Sequence, residues 1–583
     1  MNSFKINPMI ATDSYKLGHK DMYPEGTAMV YSNMTPRSGK LLQKIVPVSI
    51  YDDKMVHYGI QGLLMHYVGL WNENFFGVSQ TDAVSWYART VPPFMGATEV
   101  TVDHVVALHK LGYLPLLVRS LPEGSIVPFK VPVFTVENTL KDFYWLTNYT
   151  ETYFSNEYWK GTTVATIARY YRILLEKYAI ETGCPLDFVD FQGHDFSCRG
   201  MSGMHDSATA GGGHLVYFKG SDTLLAVDYS KYAYDADKEP LIACSVPATE
   251  HSVMTSSGKE GEFDLFKRII TKVVPNGIVS VVSDSFDFWK VMTDFTVRLK
   301  DDILARGKDP ITGLSKVVFR PDSGNPVKIV CGTGCLTFNT LDEAVEEINE
   351  MHTEQANEDC EGAHNIGCEF YQTIAKVGDK YYKFKTCFEY NRHDKTYYYV
   401  DNYGGAGETK FEEIQATPEM KGAIECLWDV FGGTINEKGY KVLSDRVGLI
   451  YGDSITLERA QAILEGLKAK GFCTSCIVFG IGSFTYQYMT RDTLGLAIKA
   501  TYRYDKDGNE YELFKDPKTD SGTKKSAKGL LQVIKNDKGD FKLKDQVTYA
   551  DTYKGELQPI FIDGKFVNKT SLTEIRDRAK VRM

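Results

Sequence analysis

The chain has 583 residues, of which 43% are hydrophobic and 24% charged, enough for roughly three or four domain-sized units and a sizeable core. Its net charge of −10 excludes a global positive field that would hold nucleic acid or an anionic membrane, so any phosphate-binding groups must be gathered locally. No run approaches the roughly 18 apolar residues of a membrane span, and the eleven scattered cysteines read as reduced thiols of a cytoplasmic protein, not a disulfide framework.

The first residues, Met1–Pro8, are too polar for the core of a signal peptide. Short apolar runs follow along the chain: Leu114–Val118, Gly277–Val282, Lys316–Phe319, Val447–Tyr451 and Cys476–Gly480. Gly277–Val282, Lys316–Phe319 and Val447–Tyr451 are followed at once by small and acidic residues, Ser283-Asp284-Ser285, Arg320-Pro321-Asp322-Ser323-Gly324 and Gly452-Asp453-Ser454, and Cys476–Gly480 leads into Ile481-Gly482-Ser483. Buried strands that end repeatedly in polar turns before helical stretches predict a parallel α/β sheet or barrel, with ligands at the carboxyl ends of the strands.

Residues 330–417 read as an inserted α+β module. Thr340-Leu341-Asp342-Glu343 has the form of a capping box opening a helix, with Leu341, Val345 and Ile348 on one face. Tyr- and Phe-rich stretches with turns at Gly378-Asp379 and Gly404-Gly405 predict a small β meander, and the acidic run reads as a solvated face. Cys331, Cys335, Cys360, His364 and Cys368 have spacings a zinc site could use, but paired C-x-x-C knuckles are missing and reduced thiols are expected. The same holds for Cys473 and Cys476, which stand just before a strand. Beyond residue 500, segments such as Pro559–Ile562 predict a β-rich end.

No P-loop, G-x-S-x-G or H-E-x-x-H motif occurs, and Gly211-Gly212-Gly213 lacks the dinucleotide spacing. What stands out instead is an ordered set of motifs: Ala11–Lys16, His194–Gly200, Phe218–Thr223, Ser245–Ser252, Ser283–Ser285, Arg320–Pro326 and Thr490–Asp492. In that order they resemble the nicotinamide phosphoribosyltransferase family over nearly the whole chain, outside 330–417 and the far C-terminus.

The resemblance implies a type II phosphoribosyltransferase α/β barrel with a β-rich domain, working as a homodimer with its site at the interface. The β-rich domain would combine residues 1–150 and 496–583, and the barrel 151–329 and 418–495. It further implies synthesis of nicotinamide mononucleotide and pyrophosphate from nicotinamide and phosphoribosyl pyrophosphate, with Mg2+ held mainly by the pyrophosphate and ATP as co-substrate, in NAD salvage.

By the same resemblance Phe196 and, from the other subunit, Tyr15 stack on the pyridine ring, while Asp222 and Arg320 read its amide. Asp322 and Asp453 stand at the ribose; Gly452, Gly480 and Gly482 let backbone approach the 5′-phosphate. Arg199, Arg491, Lys499, Arg37 and Lys524 hold phosphate and pyrophosphate, His251 is phosphorylated, and Asp284 orients its ring. Ser483 and Phe484 stand where relatives often carry a longer glycine run.

The chemistry suits these residue types. Displacing pyrophosphate from C1 develops opposite charges that fixed groups can stabilise, and the neutral pyridine nitrogen needs no general base. Competing readings are a nicotinate phosphoribosyltransferase, which Asp222 opposes, and a non-catalytic sensor or secreted signalling protein, which the retained His251, Arg199, Asp222, Arg320 and Asp322 oppose. The 330–417 module would lid the site, extend the dimer contact or decorate the surface.

Overall fold

A computed structural model describes residues 5–96, 101–360, 368–391, 396–399, 409–514 and 527–581. Six parallel strands form the centre, in the order Gly220–Ser221, Gly193–Asp195, Ile477–Ile481, Val447–Tyr451, Lys316–Arg320 and Ile278–Val282. Their branched, apolar residues are buried on both faces, as a helix-covered parallel sheet requires.

The ring is closed by the short stretch Cys244–Ala248. At one edge Cys244 bridges Gly220, with Ser221 N–H donating to Cys244 O at 3.0 Å. At the other, Ala248 bridges Ser280, whose N–H donates to Pro247 O at 2.9 Å. Pro247 has no N–H to extend the ladder, so this stave stays short.

The helix Glu151–Thr182 is buried on most sides because it has neighbours on both flanks. Thr162 Oγ1 donates to Val56 O and Thr166 Oγ1 accepts from Val56 N in the N-terminal part, while Tyr171 donates to Ile455 O in the barrel. Fully buried Ile167, Leu174 and Leu175 each contribute about 1.5–3 kcal/mol of burial.

A seven-stranded antiparallel sheet lies alongside the barrel. It interleaves Thr27–Pro36, Leu116–Ser120 and Phe134–Asn138 with Leu496–Asp505, Glu510–Glu512, Gln558–Ile562 and Lys565–Phe566. Chain segments from both ends thus build one sheet.

In the inserted module, Thr340 Oγ1 accepts from Glu343 N while Glu343 Oε2 accepts from Thr340 N, fixing the start of Leu341–Cys360. Leu341, Val345 and Ile348 pack with Phe338, Ala344, Ala375 and Phe384. The sheet departs from a simple meander. Thr396–Tyr399 and Lys410–Ile414 both pair with Lys380–Asn391, and Cys335–Phe338 adds a parallel strand beside Cys368–Val377. The turn at Gly378-Asp379 joins Cys368–Val377 to Lys380–Asn391, whereas Gly404-Gly405 lies outside the described residues. A buried network docks the module on the barrel: Glu425 meets Lys376 at 2.8 Å, Lys470 at 3.3 Å and the Tyr381 hydroxyl at 2.7 Å.

Candidate active site

The carboxyl ends of the barrel strands gather most of the residues singled out from sequence. Phe196 follows Gly193–Asp195, and its N–H donates to Ile481 O at 3.0 Å on the neighbouring strand. Its ring lies over Gly480 and Gly452. A Cβ on Gly480 would stand 2.3 Å from the ring, and one on Gly452 2.9 Å from it. These two glycines therefore make room for an aromatic side chain. Gly482, whose Cβ position meets only Gly452 O at 4.0 Å, keeps an open backbone. Asp322 Oδ1 lies 3.5 Å from the Gly452 Cβ position, so this carboxylate borders the ring pocket.

Below the rim, buried Asp195 ties the first turns together. Its Oδ1 accepts from Ser197 N and Oγ at 2.9 and 2.6 Å, and its Oδ2 accepts from Thr223 Oγ1 at 2.7 Å. That knot places Asp222 one residue before Thr223.

Asp222 Oδ1 accepts from His194 Nε2 at 3.0 Å and from Ser245 Oγ at 2.5 Å. Burial alone would push this carboxyl up, but the bonds from His194 and Ser245 and the nearby charges of His194 and Arg320 hold it below the usual carboxylate range. Among the described residues only Oδ1 is engaged, leaving Oδ2 as an acceptor. His194 and Ser245 carry this arrangement, yet sequence reasoning gave neither a role. Both stand in the motifs quoted above, but 28 and 23 residues from Asp222, a pairing only the barrel creates.

Arg320 ends its strand, and its N–H and C=O both meet Ser283, at 3.4 and 3.0 Å. Its Nε and the Ser285 hydroxyl are buried without a partner. Such orphaned polar atoms cost about 1–3 kcal/mol each unless a ligand satisfies them.

Asp284, almost fully buried, links the next two loops. Oδ1 receives His251 Nε2 at 3.2 Å, and Oδ2 accepts from Asp322 N at 2.8 Å and Ser323 Oγ at 2.7 Å. The His251 ring is about half exposed, and Nδ1 has no partner among the described residues. Asp453 is exposed, with Ser454 Oγ 3.2 Å from its Oδ1. Arg199 is exposed in the turn Cys198–Gly200, where Gly200 abuts the Ser483 side chain, and it makes no ion pair among the described residues.

A second group of predicted residues lies elsewhere in the chain. Tyr15 is 58% exposed beside His19, in a turn anchored by Lys16 to Glu151. The Arg37 Nε donates to Gly495 O at 2.9 Å, next to the turn that carries exposed Arg491, and Lys499 pairs in register with Asn33. Among the described residues no contact joins Tyr15, Arg37 or Arg491 to Phe196 or Asp222. Lys524 lies outside the described residues.

Residues 191–550 match the nicotinate phosphoribosyltransferase family, and residues 7–74 match the N-terminal domain of nicotinamide phosphoribosyltransferase. A nicotinamide phosphoribosyltransferase of Acinetobacter baylyi is 46% identical over 99% of this chain and 97% of its own length. One of Mycoplasma pneumoniae is 32% identical over 91% of this chain and 97% of its own. A crystal structure of nicotinate-nucleotide pyrophosphorylase from Pyrococcus furiosus aligns with a TM-score of 0.47 at 13% identity, over 99% of this chain and 97% of that one. A near full-length relationship and a matching family domain over the barrel lead to one conclusion: the chain belongs to the nicotinate phosphoribosyltransferase family, and its N-terminal part is the domain of the nicotinamide enzymes.

Proposed function

We propose that this phosphoribosyltransferase makes nicotinamide mononucleotide and pyrophosphate from nicotinamide and phosphoribosyl pyrophosphate, in NAD salvage. The observation that carries the amide preference is Asp222, held ionised with one oxygen unengaged at the rim. An ionised acceptor welcomes the carboxamide NH2 and repels the carboxylate of nicotinate. Arg320, whose Nε lacks a partner, supplies the complementary donor for the carboxamide oxygen.

With the pyridine stacked on Phe196, its ring nitrogen forms the bond to C1 as the C1–O bond to pyrophosphate breaks. Positive charge developing on the ribose is met by Asp322 and Asp453, and the departing pyrophosphate by Arg199. Mg2+, a hard cation that prefers oxygen donors, would be held mainly by the oxygens of the pyrophosphate, where it would offset leaving-group charge. Tyr15 and several of the cations Arg199, Arg37, Arg491 and Lys499 act across a subunit interface in this reading, with Lys524 a further candidate for the pyrophosphate, so sedimentation should find a dimer. No helix among the described residues is long and apolar enough to cross a membrane, and a cytoplasmic location suits the reduced thiols.

His251 is the acceptor of a phosphoryl group from ATP in this reading. Nδ1 attacks the γ-phosphorus and the bond to the ADP oxygen breaks, while Nε2 remains against Asp284. The test supplies phosphoribosyl pyrophosphate, Mg2+ and nicotinamide, with and without ATP, to the parent and to His251→Ala. Nicotinamide mononucleotide should accumulate, faster with ATP in the parent, and the ratio of the two rates should fall to about one in His251→Ala. No nucleotide product would contradict the transfer, and persistent ATP stimulation in the variant would contradict the phosphohistidine.

A further inference from the structure

Away from the strand ends, three helices bring together two imidazoles and a carboxylate that the transfer reaction does not use. His66 comes from Ile60–Trp71, Glu157 from Glu151–Thr182 and His205 from Met204–His214. One ligand atom from each lies within 4.8 Å of the others. The His66 and His205 rings stack at 4.1 Å between centroids with 26° between planes, and His205 Nδ1 meets Glu157 Oε2 at 2.9 Å. His66 Nδ1 meets the Tyr153 hydroxyl at 2.8 Å.

We infer that His66, Glu157 and His205 form a binding site for a divalent transition metal, Zn2+ by the nature of the donors. Two imidazoles and one carboxylate are a borderline donor set that suits zinc and not Mg2+ or Ca2+. Tetrahedral bonds of about 2.0–2.1 Å place ligand atoms about 3.4 Å apart, so binding draws the cluster together and turns one imidazole out of the present stack, because a metal lies in the plane of each ring it binds. The His205–Glu157 contact supplies a second reason, since at 2.9 Å it already sets a ring nitrogen and a carboxylate oxygen side by side, where one metal ion would join them. Tyr153 provides the outer contact that metal-bound histidines commonly have, accepting from Nδ1–H once Nε2 is engaged. Glu157 and His205 are partly exposed, which leaves a path for the ion and a fourth position for water.

Such an ion would pin the start of Met204–His214 to the helices Ile60–Trp71 and Glu151–Thr182. That helix follows the Cys198–Gly200 turn bearing Arg199, and Ser202 between them accepts from Gln487 at 2.6 Å. The site would therefore brace one of the phosphate-holding loops without touching substrate.

The test is a Zn2+ titration of tag-free, chelator-stripped, full-length protein, followed by calorimetry and thermal melting. The parent should bind one Zn2+ more per chain than His205→Gln or Glu157→Gln, with an affinity there at least about a hundredfold higher, and its Tm should rise with Zn2+ more than theirs. Co2+ in place of Zn2+ should give the parent a visible absorption band that both variants lack. Since His205 and Glu157 are partly exposed, both variants should fold; His66→Gln is the third arm. Equal stoichiometry and affinity in parent and variants, or no binding by the parent, would overturn the assignment.

Discussion

At the scale of the residue, Asp222 shows how a common side chain acquires a specific task. A surface aspartate would titrate near its ordinary value, and burial alone would make it a weaker acid. The bonds from His194 and Ser245 and the charge of Arg320 reverse that, so it enters the site as an anion. A carboxyl with a lowered folded-state pKa contributes stability above the unfolded pKa, and that contribution is lost as pH falls through the folded value. At neutral pH the stabilisation is fully present, and with it the charge on which the proposed repulsion of nicotinate rests. Asp222→Asn keeps the shape and removes the charge. We expect the ratio of kcat/KM for nicotinamide over nicotinate to fall by about tenfold or more, about 1.4 kcal/mol of lost discrimination. An unchanged ratio would take Asp222 out of that role.

Among elements, the strands were legible where their chemistry is monotonous. Val447–Tyr451 and Ile477–Ile481 are short apolar runs that end in glycine and polar residues, and they are barrel strands. Cys244–Ala248 was not legible as a stave, because five residues containing a proline carry no strand periodicity; only its two neighbours define it. The run Gly211-Gly212-Gly213 was legible only as something other than a dinucleotide loop. It lies in Met204–His214, where lost side chains allow close helix packing: a Cβ on Gly212 would stand 2.4 Å from the Tyr58 hydroxyl, and one on Gly213 2.4 Å from Gly161 O. The neighbour of Gly213 is backbone and cannot rotate away. Gly213→Ala should therefore destabilise the protein by about 1–3 kcal/mol through overpacking, despite alanine's better helix propensity. Denaturant unfolding measures this, and a variant as stable as the parent would show that the helices have slack.

Across the whole molecule, charge and topology explain what sequence alone left open. A chain of net charge −10 still presents Arg199 and Arg320 at the rim, because the barrel collects residues more than a hundred positions apart. The antiparallel sheet joins Thr27–Pro36 to Leu496–Asp505, a pairing of distant segments that no local pattern encodes. The same long-range assembly hid His66, Glu157 and His205, which share no spacing that a metal motif would have. The inserted module docks through Glu425, Lys376 and Lys470; its acidic helix was legible from the capping box, its docking was not.

The central claim is that this site transfers the phosphoribosyl group to the amide and not to the acid. Equimolar nicotinamide and nicotinate competing for limiting phosphoribosyl pyrophosphate, with Mg2+ and ATP present, test it directly. The account predicts nicotinamide mononucleotide in at least about tenfold excess, as an ionised Asp222 requires. Equal yields, or more of the nicotinate product, would contradict it.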